Sequence, residues 1–179
     1  MKAVITPEMI QNALLPLIGL PLSLTRRNVD LRIFHFGAIR IVDNGSIGDY
    51  ALHLSGKWAL WEEDGVFVQD TDLYSPLTED YDVEPEEWDY DTHGNWQDEF
   101  LKVVFPEYDA GTKAYFRTDK PLIVERIQVD KKGNVEIQFS HTYILVLSRG
   151  IKDHEDWRLF QPGRDAPHFV LMGVDSADN

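Results

Sequence analysis

The sequence has no cysteine among its 179 residues. This excludes disulfide bonds, thiolate nucleophiles and zinc sites built on sulfur. The absence is in keeping with a reducing compartment, where disulfides are rare, and we predict a cytoplasmic location.

Long hydrophobic runs are also missing. The apolar stretch at residues 13–24 has 12 residues, whereas a helix needs about 20 to cross a bilayer. Lys2 is the only early basic side chain, and no small-residue cleavage pattern follows the stretch, so it does not have the form of a signal peptide. We interpret it as a buried N-terminal element and predict no membrane partner.

Basic side chains are few. The chain has 17 Lys and Arg against 31 Asp and Glu, which gives a formal net charge of −14 at pH 7. A charge of this size repels nucleic acid and anionic membrane surfaces. We therefore predict no nucleic-acid partner.

Recognisable catalytic and metal-binding motifs are absent as well. The chain has no nucleophile elbow, phosphate-binding loop, dinucleotide-binding glycine pattern or HExxH motif. Residues 89–95 begin like a calcium loop, but His93 and Phe100 occupy positions that need oxygen ligands. His35 and His53 fall on neighbouring predicted strands, and we interpret them as structural. We predict no cofactor and no metal, and an enzyme of unknown class stays an alternative.

What the sequence does contain is enough apolar material for a core: 43% of its residues are hydrophobic and 12% aromatic. The N-terminus predicts a short helix, because Thr6 suits the N-cap, Pro7 the first helical position and Glu8 the helix dipole. Ile10 and Leu14 then recur at helical spacing.

From residue 23 onward the apolar period changes to two, which is typical of β-strands. The clearest case is Leu122–Asp130, which a turn at Lys131–Asn134 joins to a second alternating run at Val135–Phe139. Thr142–Ser148 is apolar on both faces and predicts a strand in the middle of a sheet. We predict a short helix over Asp153–Phe160.

Short turns between successive strands favour antiparallel pairing over βαβ units. We predict a single α+β domain over residues 1–179, built mainly on an antiparallel β-sheet of seven or eight strands whose last strand is His168–Val174. The sheet is expected to be curved or barrel-like, with a short N-terminal helix and one or two further short helices.

The acidic residues are concentrated in one stretch. Residues 62–109 carry 17 of the 31 acids and one base, Lys102. Within this stretch we predict an acidic, partly flexible insertion at about 76–100, where Tyr81, Trp88 and Tyr90 alternate with acids.

This insertion has two interpretations. It is a solvated loop whose aromatic rings fold back onto the sheet, or it is a docking surface for a basic protein, since exposed Trp and Tyr are enriched at interfaces. Bacterial immunity proteins that neutralise basic toxins use this kind of surface, by analogy. Our leading hypothesis is a non-catalytic interaction module, and its predicted partner-binding residues are Glu84, Glu86, Glu87, Trp88, Asp89 and Tyr90.

A small-ligand-binding domain is the alternative hypothesis. Trp58 and Trp61 fall on one predicted strand near His53 and can line a pocket for an apolar or sugar-like ligand. Core packing is the other interpretation of these tryptophans. A homodimer formed through an edge strand also stays open.

Two sets of short motifs carry a resemblance. Gly48–Leu54 with Lys57–Trp58, and Trp157–Phe160 with His168–Val170, resemble the sequences of a family of small bacterial proteins without an established function. The resemblance covers both halves of the predicted sheet and not the acidic insertion. It implies a bacterial, cytosolic origin and assigns no site residues.

Overall fold

The computed structural model describes residues 5–43, 45–77 and 89–174, and these contain two α-helices, three 3₁₀ turns and fourteen β-strands. The α-helices are α1 (Pro7–Leu14) and α2 (Trp96–Val104), and the 3₁₀ turns are Leu15–Leu17, Asp70–Tyr74 and Ser140–Thr142. The strands are β1 (Pro21–Asn28), β2 (Leu31–Phe36), β3 (Arg40–Val42), β4 (Gly45–Ile47), β5 (Tyr50–Leu54), β6 (Trp58–Glu62), β7 (Gly65–Gln69), β8 (Glu107–Asp109), β9 (Ala114–Phe116), β10 (Leu122–Val129), β11 (Val135–Phe139), β12 (Ile144–Leu147), β13 (Glu155–Phe160) and β14 (Phe169–Met172).

Helix α1 forms as the sequence predicts. The side chain of Thr6 accepts a hydrogen bond from the N–H of Met9 (3.3 Å), and Pro7 occupies the first turn. Ile10 and Leu14 are fully buried. Among the described residues, no helix has both the length and the apolarity needed to cross a bilayer.

The prediction of a mainly antiparallel sheet is confirmed. Within the described residues, twelve strands form one sheet in the order β14-β13-β5-β2-β1-β10-β11-β12-β6-β7, with β9 beside β1 and β8 beside β9. Strands β3 and β4 pair with each other as a separate hairpin. The predicted number of seven or eight strands is wrong, because the large sheet alone has twelve. Strands β4, β8 and β9 have three residues each, too few to show a period of two, and the sequence predicts a helix where β13 lies. The barrel-like closure is also wrong, since the sheet is not closed.

The large sheet folds over on itself around one hydrophobic core. Phe34 on β2 and Trp58 on β6 are five strands apart in the sheet order, yet their ring centroids are 5.6 Å apart. Five steps of about 4.8 Å would separate them by roughly 24 Å in a flat sheet. Phe36 on β2 and Phe139 on β11 are also far apart in the sheet order, and their rings stack with centroids 6.4 Å apart. The two halves of the sheet therefore pack face to face, joined where β1 pairs with β10 through Pro21 and Leu22.

The short helix predicted over Asp153–Phe160 is a strand instead. In β13, Trp157 and Leu159 are buried in the core, whereas Arg158 and Phe160 point to the other face. This period of two fits pairing with β5 on one side and β14 on the other. The further α-helix of the fold is α2, which lies at the end of the acidic insertion.

Candidate functional site

The predicted acidic insertion is closed at its base. Pro76 and Asn95 form an isolated antiparallel bridge, and the N–H of Trp96 donates to the carbonyl oxygen of Ser75 (3.0 Å). Asn95 also caps α2, because its side-chain oxygen accepts the N–H of Asp98 (2.8 Å). Residues 75–76 and 95–96 are therefore neighbours beside the N-terminus of α2.

Two of the six predicted partner-binding residues belong to the part of the chain that the structure describes. Asp89 is exposed, and its carboxylate accepts the N–H of Asp91 (2.7 Å) in a tight turn. Tyr90 is half-buried. The other four lie outside the described residues: Glu84, Glu86, Glu87 and Trp88.

Tyr90 packs against the domain. The guanidinium carbon of Arg27 lies 4.9 Å from the centre of its ring, and Tyr74 meets it edge-on with ring centroids 6.2 Å apart. Arg27 also forms an ion pair with the neighbouring Asp91 (2.6 Å). A cation over an aromatic face is attracted by the ring quadrupole. These contacts fix the C-terminal end of the acidic insertion to β1.

Two arginines of the sheet meet the first turn of α2. The guanidinium of Arg32, which is 1% exposed, donates to Gln97 Oε1 (3.0 and 2.7 Å) and to Asp98 Oδ1 (2.5 Å). Arg27 donates to Asp98 Oδ2 (3.0 Å). Burial by itself would raise the pKa of Asp98, but the charges and hydrogen bonds of the two arginines outweigh it and lower the pKa to about 2. The network joins α2 to the sheet electrostatically.

An acidic aromatic face lies beside the base of the insertion, and we define it by Glu62, Phe67, Trp96, Phe100 and Tyr143. Trp96 stacks on Phe100 (5.5 Å), Phe100 contacts Phe67 (5.7 Å), and Phe67 contacts Tyr143 (6.3 Å). Trp96 is 41% exposed. The pKa of Tyr143 is raised by burial and then by the negative charge of Glu62. Aromatic rings from α2, from β7 and from Tyr143, the residue before β12, thus form one row next to the exposed carboxylate of Glu62.

Further acids of residues 62–109 are found on the elements around α2. Of the 17 acids in residues 62–109, 11 belong to the described residues. Glu63 and Asp64 are exposed on the turn between β6 and β7, and Glu107 and Asp109 are exposed on β8. Glu99 on α2 forms an ion pair with Lys102 of the same helix.

The structure places His53, Trp58 and Trp61 in three different environments. His53 is half-buried on the face of β5 opposite the core, where it meets the edge of Phe160 (4.8 Å). Trp58 is 3% exposed in the core, edge-on to Phe34. Trp61 is 40% exposed, beyond a register shift between Leu60 and Trp61 in the pairing of β6 with β7.

Trp58 also lines a cleft with a volume of about 590 Å³ at one end of the sheet. Its other walls come from the β5–β6 turn, the 3₁₀ turn Asp70–Tyr74 and the loop before β13. Arg149 and Asp156 form a buried ion pair in its wall (3.3 Å). Burial raises the pKa of the Asp70 carboxyl group, which accepts a long hydrogen bond from the N–H of Trp58 (3.4 Å). Neither His53 nor Trp61 lines this cleft.

Sequence reasoning missed the buried charged residues. Arg32 lies between two apolar residues of a strand, which is the one local signal that its side chain is buried. Asp98 is 66 residues away from it, so no spacing rule links the two. Arg149 and Asp156 flank a loop, and no local pattern shows that they pair.

Comparison with known proteins adds no assignment. No family model, curated protein or solved structure matches the chain. Across the described ranges, no three His, Asp or Glu side chains are placed to hold a metal ion.

Proposed function

We propose that this protein is a non-catalytic interaction module that binds a basic protein through its acidic, aromatic-containing segment in the cytoplasm, in the manner of an immunity protein. The segregation of charge carries the proposal. Residues 62–109 hold 17 acids and one base, whereas the other 131 residues hold 14 acids and 16 bases. Concentrated charge of one sign speeds association with an oppositely charged partner and selects against others.

The acidic aromatic face supplies aromatic anchors, which a charged loop alone lacks. Interface energy comes mainly from aromatic and arginine anchors that lose water on binding, with charged residues at the rim. Trp96 of this face is 41% exposed, and Tyr74, which contacts Tyr90 outside the face, is 58% exposed. We add them to the predicted partner-binding residues, which include Trp88 and Tyr90.

Reversal of the charge tests the proposal. In one variant Glu84, Glu86, Glu87 and Asp89 are changed to Lys. A basic protein is first captured from the host lysate at low salt, and its Kd is then measured with the purified partner across a series of salt concentrations. The variant is expected to lose at least 100-fold in affinity, about 2.7 kcal/mol, and most of the salt dependence, with little change in Tm.

A matched control makes the same change in net charge elsewhere. Asp119, Glu125, Glu136 and Asp165 are all exposed and lie outside residues 62–109, and their replacement by Lys should leave most of the affinity intact. Equal losses in both variants would show that only net charge matters. Retained affinity in the first variant would remove the proposal.

The cleft next to Trp58 favours a second candidate function, the binding of a small ligand. A cleft of about 590 Å³ has the size of a small-molecule site. Its lining combines a few apolar side chains, among them Trp58 and Leu73, with a larger number of charged and polar ones, among them Asp70. Screening a metabolite library by intrinsic Trp fluorescence, with Asp70→Asn as the variant, tests it. The candidate fails if no compound shifts the emission, or if the variant responds as the parent does.

A further inference from the structure

A basic row crosses the face of the sheet opposite the core. Arg26 on β1 pairs with Ile33 on β2, Ile33 pairs with His53 on β5, and His53 pairs with Arg158 on β13. Side chains of directly paired residues point to the same face. Arg26 and Arg158 therefore lie on either side of His53 in one row, although the protein as a whole carries a net charge of −14.

His35 lies in the next row on the same face and lacks a hydrogen-bond acceptor. Its partners in the sheet are Leu24 and Ala51, so Arg26 and His53 are its diagonal neighbours, a separation of about 7–8 Å. The Nδ1 atom of His35 accepts the N–H of Gly48 (3.1 Å), which places the proton of the neutral ring on Nε2. That Nε2 atom is buried without a partner among the described residues, and buried donors of this kind are costly.

Arg26 is unpaired as well. Its Nε atom is buried without a hydrogen bond, and its guanidinium has no ion-pair partner in the described part of the chain. The other cation of the row, Arg158, is neutralised by Glu155 through two hydrogen bonds (3.1 and 2.6 Å). The positive charge of Arg26 thus lies near two histidine rings, and no carboxylate of the described residues is bound to it.

We propose that Arg26, His35 and His53 form a binding site for a small oxyanion, a phosphate or carboxylate group. The oxyanion pairs with the guanidinium of Arg26 and accepts the Nε2–H of His35, while His53 donates from the adjacent strand. Charge-assisted hydrogen bonds to an oxyanion are stronger than neutral ones. The distant acids oppose this only weakly, because salt screens charges beyond about 10 Å at 0.1 M ionic strength.

The β3–β4 hairpin borders the site. A Cβ atom added to Gly45 would lie 3.5 Å from Nη1 of Arg26, and Gly48, just after β4, packs against His35. The Ser46 hydroxyl on this hairpin is also buried without a hydrogen-bond partner among the described residues. Among the described residues the hairpin has no strand pairing with the large sheet, so a shift of the hairpin that admits the ion would leave the pairing of that sheet intact.

Burial and the neighbouring arginines keep both histidines of the site neutral at pH 7 when no anion is bound. Burial and then the nearby charge of Arg26 lower the pKa of His35 to about 3. Burial and then Arg158 and Arg26 lower the pKa of His53 to about 4, against the smaller opposite effect of Glu155. A bound anion reverses the electrostatic part of both shifts, which provides a readout at the site itself.

Inorganic phosphate and acetate are the probes, each compared with chloride at equal ionic strength and pH 7. Melting curves report binding, and histidine proton resonances report its place. The variant is Arg26→Gln, which removes no hydrogen bond or ion pair of the described structure. Arg126→Gln on the exposed side of β10 is the matched control, and His53→Gln is a second variant.

Phosphate at ten times its Kd should raise the Tm of the parent and of Arg126→Gln by about 4 °C. It should also shift the resonances of His53, and Arg26→Gln should lose both effects. A matching response to acetate extends the ligand class to carboxylates, whereas no response to acetate restricts it to phosphate. The proposal is overturned if neither anion acts differently from chloride, or if Arg26→Gln responds as the parent does.

Discussion

The burial of His35 predicts a specific loss of stability in mild acid. The ring is 1% exposed, and its pKa is lowered from 6.5 to about 3 by burial, then by Arg26 and His53. In the unfolded chain the same histidine binds a proton below about pH 6.5. Between pH 6.5 and pH 3 the unfolded state therefore binds the extra proton, and stability falls as the pH falls.

The size of the stability loss follows from the linkage between proton binding and unfolding. One histidine that is protonated only in the unfolded state changes the free energy of unfolding by about 1.4 kcal/mol per pH unit. Between pH 6 and pH 4.5, the contribution of His35 amounts to about 2 kcal/mol. His53, whose pKa is lowered to about 4, acts with the same sign and a smaller effect because it is partly exposed to solvent.

Urea unfolding followed by Trp fluorescence at pH 6 and pH 4.5, in chloride and without phosphate, measures this loss. His35→Gln has no titrating ring, so its loss of stability over this pH range should be smaller than that of the parent by about 2 kcal/mol. His154→Gln, at an exposed position, should lose as much stability as the parent. Equal pH dependence in His35→Gln and the parent would refute the reasoning.

Two further substitutions test the ion-pair network and the core by urea unfolding. Asp98→Ala should lower the free energy of unfolding by about 3–5 kcal/mol, because it leaves the buried Arg32 without its carboxylate. Glu99→Ala removes an exposed ion pair and should lower it by about 1 kcal/mol or less. A similar loss in both variants would contradict the network. Trp58→Ala should lower the free energy of unfolding by about 3–5 kcal/mol, because its ring fills the core between the two halves of the sheet. Trp61→Ala should lower it much less, and the opposite order would show that the assigned burial is wrong.

The acidic segment can be identified from the sequence alone, but its relation to the domain cannot. The distribution of acids and the interleaved aromatic residues are visible in the printed order. The bridge between Pro76 and Asn95 and the contact of Tyr90 with Arg27 join residues that are distant in sequence. Such contacts depend on which strands come together, so local composition carries no signal for them.

The sequence by itself determined the elements whose causes are local. The cap and proline at the start of α1 act within one helical turn. The hairpin of β10 and β11 follows from two alternating runs around a turn, where Asp130 accepts backbone N–H groups and Gly133 has a φ of 85°. Each of these depends on neighbours within a few residues, so reading along the chain is sufficient.

The tertiary structure decided which faces meet. The contact of Phe34 with Trp58 requires the sheet to fold over, and the grouping of Arg26, His35 and His53 requires the register of three strands. It also decided that Glu155–Phe160, within the segment predicted as a short helix, forms a strand, because β5 and β14 supply its pairing partners. Pairing over long sequence distances is selected by the free energy of the whole chain, because burial and backbone hydrogen bonding are satisfied only when all the strands are in place.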